Sequence, residues 1–288
     1  MSGTRKREVV VGVDGSDTST AAAVWAAGEA HARGATLVVL YSYELYAYGS
    51  KDAALPGSIP YEEAQIAAAE LVDGVVTAVH HARPDAKVQP RILHESAGTA
   101  LLEASGEALL TVVSSHGHSP RAEELIGSFA VHTAEHGHGP VAVVRNPGAN
   151  AGPDPAGATG PIVVGTDGSE VSEEAITYAV EAAAAHGVPL HVVHCARGSD
   201  EDREQADLEA ALAGRSQAVA GVSVVPVVIP GKPQEALRAY CAEHGASQLV
   251  VGTRGVSGFA GIVLGSVSRS LLAHAELPVV VVSPQDAS

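Results

Sequence analysis

Aromatic residues make up only 3% of the 288 positions, with a single Trp and two Phe, so the core has to be assembled from small aliphatic side chains rather than rings. Cysteine is almost absent. Cys195 and Cys241 form no CxxC pair and no framework of spacings, which argues against a disulfide scaffold and suits a reducing compartment. Both read as small buried apolar residues. Positive charge is short too, with 17 Lys and Arg against 33 Asp and Glu, a formal net charge of −16. The basic residues are scattered, so no stripe exists to neutralise a phosphate backbone or an anionic membrane, and nucleic acid and lipid are set aside as partners. No apolar run approaches the ~20 residues of a membrane span. The apolar run after the polar start is too short for a signal-peptide core. The expectation is a soluble, cytoplasmic protein.

What the chain has in abundance is Ala and Val, which dominate a hydrophobic share of 46%. That is the composition of Val-rich parallel strands under Ala-rich helices, and it favours an α/β fold over a sandwich or a coiled coil. The length fits two domains of roughly 140 residues each.

The two domains are copies of one unit. Val9-Val10-Val11-Gly12-Val13-Asp14-Gly15-Ser16 returns as Ile162-Val163-Val164-Gly165-Thr166-Asp167-Gly168-Ser169, and Gly117, Gly127-Ser128 and Pro140 return as Gly255, Gly265-Ser266 and Pro278. The second copy is shorter, and the difference is placed in residues 46–60, a Tyr-, Gly- and Pro-bearing stretch with loop chemistry. Residues 146–161 carry repeated Gly, Pro and Ala, the composition of a linker. The expected division is a first domain at 1–147, a linker at 148–160 and a second domain at 161–288.

Within each copy short Val-rich runs alternate with longer segments of helical period, the pattern of βαβ units and a parallel sheet. In the second copy strands are expected at 162–166, 190–194, 222–229, 248–252 and 279–283, and helices near 172–186, 202–220, 233–244 and 267–275.

Asp14 and Asp167 follow the first strand of each copy in an Asp-Gly-Ser turn, at the sheet edge where open α/β folds bind ligands, and each can touch a ribose or a metal. The plainer reading of the same residues is a turn in which Gly relaxes the backbone and Ser caps the next helix. A stronger pattern is Gly252-x-x-Gly255, nine residues, then Gly265-Ser266 opening a helix. Gly252 and Gly255 let backbone N–H groups approach a polyphosphate. The helix start at Gly265 supplies unpaired amides and the positive dipole end, with the Ser266 hydroxyl as a further donor at the cap. This is neither GxxxxGK[ST] nor GxGxxG.

Gly-x-x-Gly, nine residues, Gly-Ser, after a Val-Val strand and paired with a first strand ending in Asp, resembles the universal stress proteins, twice and over nearly the whole chain. The resemblance implies two tandem Rossmann-like, adenine nucleotide alpha hydrolase-like domains, each a five-stranded parallel sheet with about four helices. It also implies ATP, with Mg²⁺ beside the Asp, as the ligand. Carried over position by position, it implicates Gly165, Thr166, Asp167, Cys195, Gly252, Thr253, Arg254, Gly255, Val256, Ser257, Gly258, Gly265, Ser266 and Val267. In the first copy it implicates Gly12, Val13, Asp14, Ser42, Ser114, Ser115, His116, Gly117, Gly127, Ser128 and Phe129. The first copy departs from the pattern at Ser114, which stands where Gly252 stands in the second. Its Cβ narrows the backbone range and crowds the phosphate path, but Ser is small and can itself donate a hydrogen bond, so the first site is also expected to bind. The last strands of each copy imply an internal pseudo-dimer and a homodimer of tandem chains.

Fourteen histidines are present, with His116, His118, His132, His136 and His138 close together in the first copy. Their spacing lacks an acidic partner in register, so they read as solvated side chains rather than a metal set. No nucleophile, base and orienting acid recur in both copies. The leading expectation is an ATP-binding regulatory module. The alternatives are a slow ATP hydrolase using Mg²⁺ near Asp167, and an interaction protein with vestigial sites.

Overall fold

The computed structural model describes residues 6–44, 61–117, 126–145, 160–196, 198, 201–213, 221–255 and 264–284. The 46–60 loop, the linker apart from Gly160, His118 and residues 256–258 lie outside the described residues.

In the first half β1 (Glu8–Gly12), α1 (Asp17–Ala32), β2 (Thr36–Ser42), α2 (Tyr61–Ala82), β3 (Val88–Leu93), α3 (Ala97–Glu107), β4 (Leu110–Ser114), α4 (Ser128–His136) and β5 (Val141–Val144) alternate in chain order. The second half repeats them as β6 (Ile162–Thr166), α5 (Glu170–His186), β7 (Leu190–Ala196), α6 (Glu201–Ala213), β8 (Val224–Pro230), α7 (Pro233–Glu243), β9 (Gln248–Gly252), α8 (Ser266–His274) and β10 (Val279–Val282). Two of the expected strands have the expected bounds, while β7 runs two residues further, to Ala196, because its pairing with β8 continues to Pro230. α5 begins earlier than expected, since Ser169 caps it by accepting from the Ser172 amide. The matching cap in the first half is Ser16, bonded from the Ser19 amide.

All ten strands form one sheet in the order β3-β2-β1-β4-β5-β10-β9-β6-β7-β8. Every pairing within a half is parallel. The halves join where β5 and β10 pair antiparallel, with Val143 opposite Val279 and Val141 opposite Val281. The strands expected to seek a partner thus find each other inside the chain. The outer edges, β3 and β8, carry Pro90 and Pro226, which lack the N–H that edge-to-edge pairing needs.

Strand alternation divides the core between the two faces. Val9, Val11, Leu37 and Val39 pack with Trp25, Val75, Ile176 and Tyr178 under α1, α2 and α5. Val10, Val38 and Leu40 pack with Leu101, Ala134, Leu237 and Leu271 under α3, α4, α7 and α8. Each layer runs through both halves, so the two halves share a three-layer core. Ala at Ala22, Ala23, Ala26 and Ala27 lets α1 sit close on the sheet, which is how a chain with few rings reaches full burial.

The halves also meet between α1 and α5. Glu29 accepts from His186 (Oε1 to Nε2, 2.8 Å) and from Arg33 (Oε2 to Nε, 3.2 Å), and the Arg33 guanidinium donates to the Tyr178 hydroxyl (2.9 Å). Burial by itself would raise the Glu29 pKa. The hydrogen bond from His186 and the Arg33 charge outweigh it and hold the carboxyl below its ordinary range.

Candidate functional site

In each half the chain winds outward from the first strand and then returns to its other side, so β1/β4 and β6/β9 are the points where strand order reverses. A cleft opens at the carboxyl ends of those strands, as expected for open α/β sheets. The second-half cleft has a volume of about 340 Å³ and the first about 210 Å³.

The second cleft is built from the turn after β6, the end of β9 and the start of α8. Gly168 takes a positive φ of 77°, which lets the Asp167 side chain fold back and accept from the Ser169 amide (3.1 Å). The carboxylate lies against Gly255, and a Cβ there would collide with Asp167 Oδ2. This is the reason for glycine at that position: its φ is not positive, and close approach is what a side chain would prevent. The Gly265 amide donates to the Thr253 carbonyl (2.7 Å), which pins the start of α8 beside the end of β9 and turns its free amides toward the cleft. Arg254 lines the same cleft, and among the described residues its guanidinium has no ion pair or hydrogen bond.

Of the expected second-half residues, Gly165, Thr166, Asp167, Cys195, Gly252, Arg254, Gly255, Gly265, Ser266 and Val267 all line the cleft. Thr253 does not, being buried behind it. Ser266 differs in detail from the expectation: Gly265 holds the N-cap, Ser266 is the first helical residue, and no side-chain cap bond forms. Burial pushes the Cys195 thiol up to about 11, so it is protonated at neutral pH and acts as an apolar wall, not a nucleophile.

The first cleft repeats the frame. Gly15 has φ 85°, Asp14 Oδ1 accepts from the Ser16 amide (3.0 Å) and hydroxyl (2.6 Å), and Gly117 lies against Asp14 Oδ2. The Gly127 amide donates to the Ser115 carbonyl (2.8 Å). Gly12, Val13, Asp14, Ser42, Ser114, Ser115, His116, Gly117, Gly127 and Phe129 line it, and Ser128 does not.

Ser114 makes the hydrogen bond that a small hydroxyl residue allows. Its hydroxyl donates to the His116 carbonyl (2.7 Å), and so does Thr18 (2.8 Å). Gly252 has no positive φ either; a Cβ there would meet Val171 Cγ1 at 2.8 Å. Glycine at this place therefore answers close approach, nearest to the Val171 side chain, and not a backbone angle; in the first half Thr18 stands at the position of Val171 and shares the His116 carbonyl with Ser114.

Several lining residues carried no sequence signal of their own. Leu101 and Leu237 close the two floors, reaching under Gly12 and Gly165, where an added Cβ would stand 2.7 and 2.9 Å from their methyls. Ser172 and Ser19 also line the clefts. Their recurrence three residues after each capping serine was the one available hint. His194 lines the second cleft, donating from Nδ1 to the Thr166 carbonyl (3.0 Å) with Nε2 3.2 Å from Glu204 Oε2. No group of three or more His, Cys, Asp or Glu is gathered to hold a metal among the described residues, and no described helix is long and apolar enough to cross a membrane.

Paired clefts of this construction, each with a carboxylate turn and a glycine-bounded helix start, place the protein among tandem α/β proteins with a cleft at the strand ends of each half. Comparison with known proteins makes this specific. A model of the universal stress protein family matches residues 6–145 and again 159–283. A universal stress protein of Mycobacterium tuberculosis is 34% identical over 304 residues, which cover 98% of this chain and 99% of that protein. Another, of Mycobacterium bovis, is 30% identical over 312 residues, 96% of each. The crystal structure of a universal stress protein from Archaeoglobus fulgidus has the same fold, with a TM-score of 0.70 over 98% of both chains at 20% identity. The chain belongs to the universal stress protein family.

Proposed function

We propose that each half binds an adenine nucleotide, with ATP in the second cleft, and that occupancy is a regulatory signal rather than a step in turnover. The observation that carries this reading is the convergence of the α8 start, the Arg254 guanidinium and Asp167 on one cleft of about 340 Å³. That volume falls in the ~300–1,000 Å³ range of small-molecule sites.

The donor set fits a polyphosphate. Free amides in the first turn after Gly265, with the helix dipole behind them, favour anionic oxygens, and Arg254 neutralises a second group. Asp167 is held by the Ser169 amide at a place suited to a hard cation, so Mg²⁺ carried by the nucleotide would find a carboxylate there and would neutralise phosphate charge. The apolar wall of Val193, Cys195 and Leu237 suits a base. The two buried free thiols are in keeping with a reducing, cytoplasmic setting. With β5 and β10 consumed internally, association of two chains has to use another surface.

The test is mass spectrometry of small molecules released from the denatured protein, followed by titration with Mg-ATP. Gly265→Asp places a good N-cap residue where a phosphate would sit, so the helix is kept while the anion is repelled. ATP retained by the native chain and lost from the second site of this variant is the expected result. Unchanged binding in the variant would sink the reading.

A further inference from the structure

The two clefts differ at opposite ends. The strand registers align Tyr41 with His194, Tyr43 with Ala196 and His94 with Pro230. Tyr41 lines the first cleft and stacks on Tyr43, with ring centroids 5.9 Å apart and planes 26° apart. Tyr43 in turn contacts His94 (4.6 Å, with its hydroxyl 3.2 Å from Nε2), and Tyr61 stacks on the other side of His94 (5.3 Å, 28°). Tyr61 is 53% exposed. A continuous platform of rings therefore leads out of the first cleft, in a chain where rings are scarce. At its other end the first cleft has no Lys or Arg among the described residues, and its volume is the smaller. The second cleft has Arg254 at the phosphate end and, among the described residues, no ring platform at the other.

Resting on the nucleotide-binding reading above, we infer that the two sites read different parts of the ligand. The first holds a nucleoside through its base, stacked at Tyr41, in addition to the phosphate contacts of its own helix start, so that a nucleoside without phosphates is still retained. The second holds a nucleoside triphosphate chiefly through its phosphates. Stacking on an aromatic side chain is tolerant and strong enough for this, at about 5- to 150-fold in affinity per base. Loss of a charge-assisted contact from Arg254 or the α8 amides costs about tenfold or more per phosphate removed.

Equilibrium dialysis of the full chain with ATP, AMP and adenosine decides the matter by stoichiometry. ATP should fill two sites per chain and adenosine one, and Tyr41→Ala should abolish the adenosine site while leaving one ATP site. In Gly265→Asp, the remaining site should still bind adenosine as well as ATP. Adenosine filling both sites, or neither while ATP fills two, would overturn the inference and leave ATP binding intact. Failure of ATP itself to bind would remove the function proposed above together with this one. The native-chain stoichiometries are sufficient should either variant fold poorly.

Discussion

Where the second half sets Gly252 beside Val171, the first sets Ser114 beside Thr18, and the two pairs solve one packing problem in different ways. In the second, a missing Cβ makes room for a valine methyl. In the first, two hydroxyls converge on the His116 carbonyl. Read singly, Ser114 looks like damage to a glycine motif. Read with its neighbour it is half of a coupled exchange, and the lesson is that a motif position has to be judged with the side chain that faces it. The same holds for Ser268, whose hydroxyl donates to the Gly252 carbonyl (2.7 Å), where the first half has Ala130.

The largest asymmetry is the buried set between α1 and α5, because Glu29 has only Ala182 at the matching position of the second half. Glu29→Gln should cost about 3–5 kcal/mol in urea denaturation, since it strips the Arg33 charge of its buried counter-charge. The pH dependence follows from the lowered Glu29 pKa. A depressed carboxyl contributes stability above its unfolded value, ordinarily 4.5, and loses it as pH falls through the folded value. Native protein should therefore weaken below about pH 4.5, and the variant should lack that component; an identical acid profile in both would dismiss the assignment.

A smaller effect tests the coupled pair. Gly252→Ser should destabilise by about 1–3 kcal/mol through its contact with Val171, and adding Val171→Thr should recover most of it. Additive losses in the double variant would break the comparison between the halves. Smallest is Ser268→Ala, at about 1 kcal/mol, because the Gly252 carbonyl loses its buried donor while the first half already tolerates alanine there. A thermal shift resolves it.

Much of the site was legible before any coordinates. The Asp-Gly-Ser turns, the Gly-x-x-Gly spacing and the Gly-Ser helix start are local signals, and Asp14, Gly117, Gly127 and their second-half partners, which carry them, line the clefts. Thr253 lies between motif residues and Ser128 is the serine of the Gly-Ser helix start, yet neither lines its cleft, one being buried and one sitting at the first turn of a helix. Leu101, Leu237 and His194 were missed for the opposite reason, since a leucine on a helix face or a histidine in a strand carries no mark of what it faces.

By itself the sequence determined the repeat, the alternation of strand and helix and the turn chemistry, because period 2, period 3.6 and a positive φ are properties of neighbouring residues. Tertiary structure alone decided that β5 would meet β10, that Glu29 would meet His186, and that one cleft would end in rings and the other beside Arg254. Those pairings join residues more than 130 positions apart or on different elements, and they exist only once the strands have closed into one sheet and both of its faces have been covered.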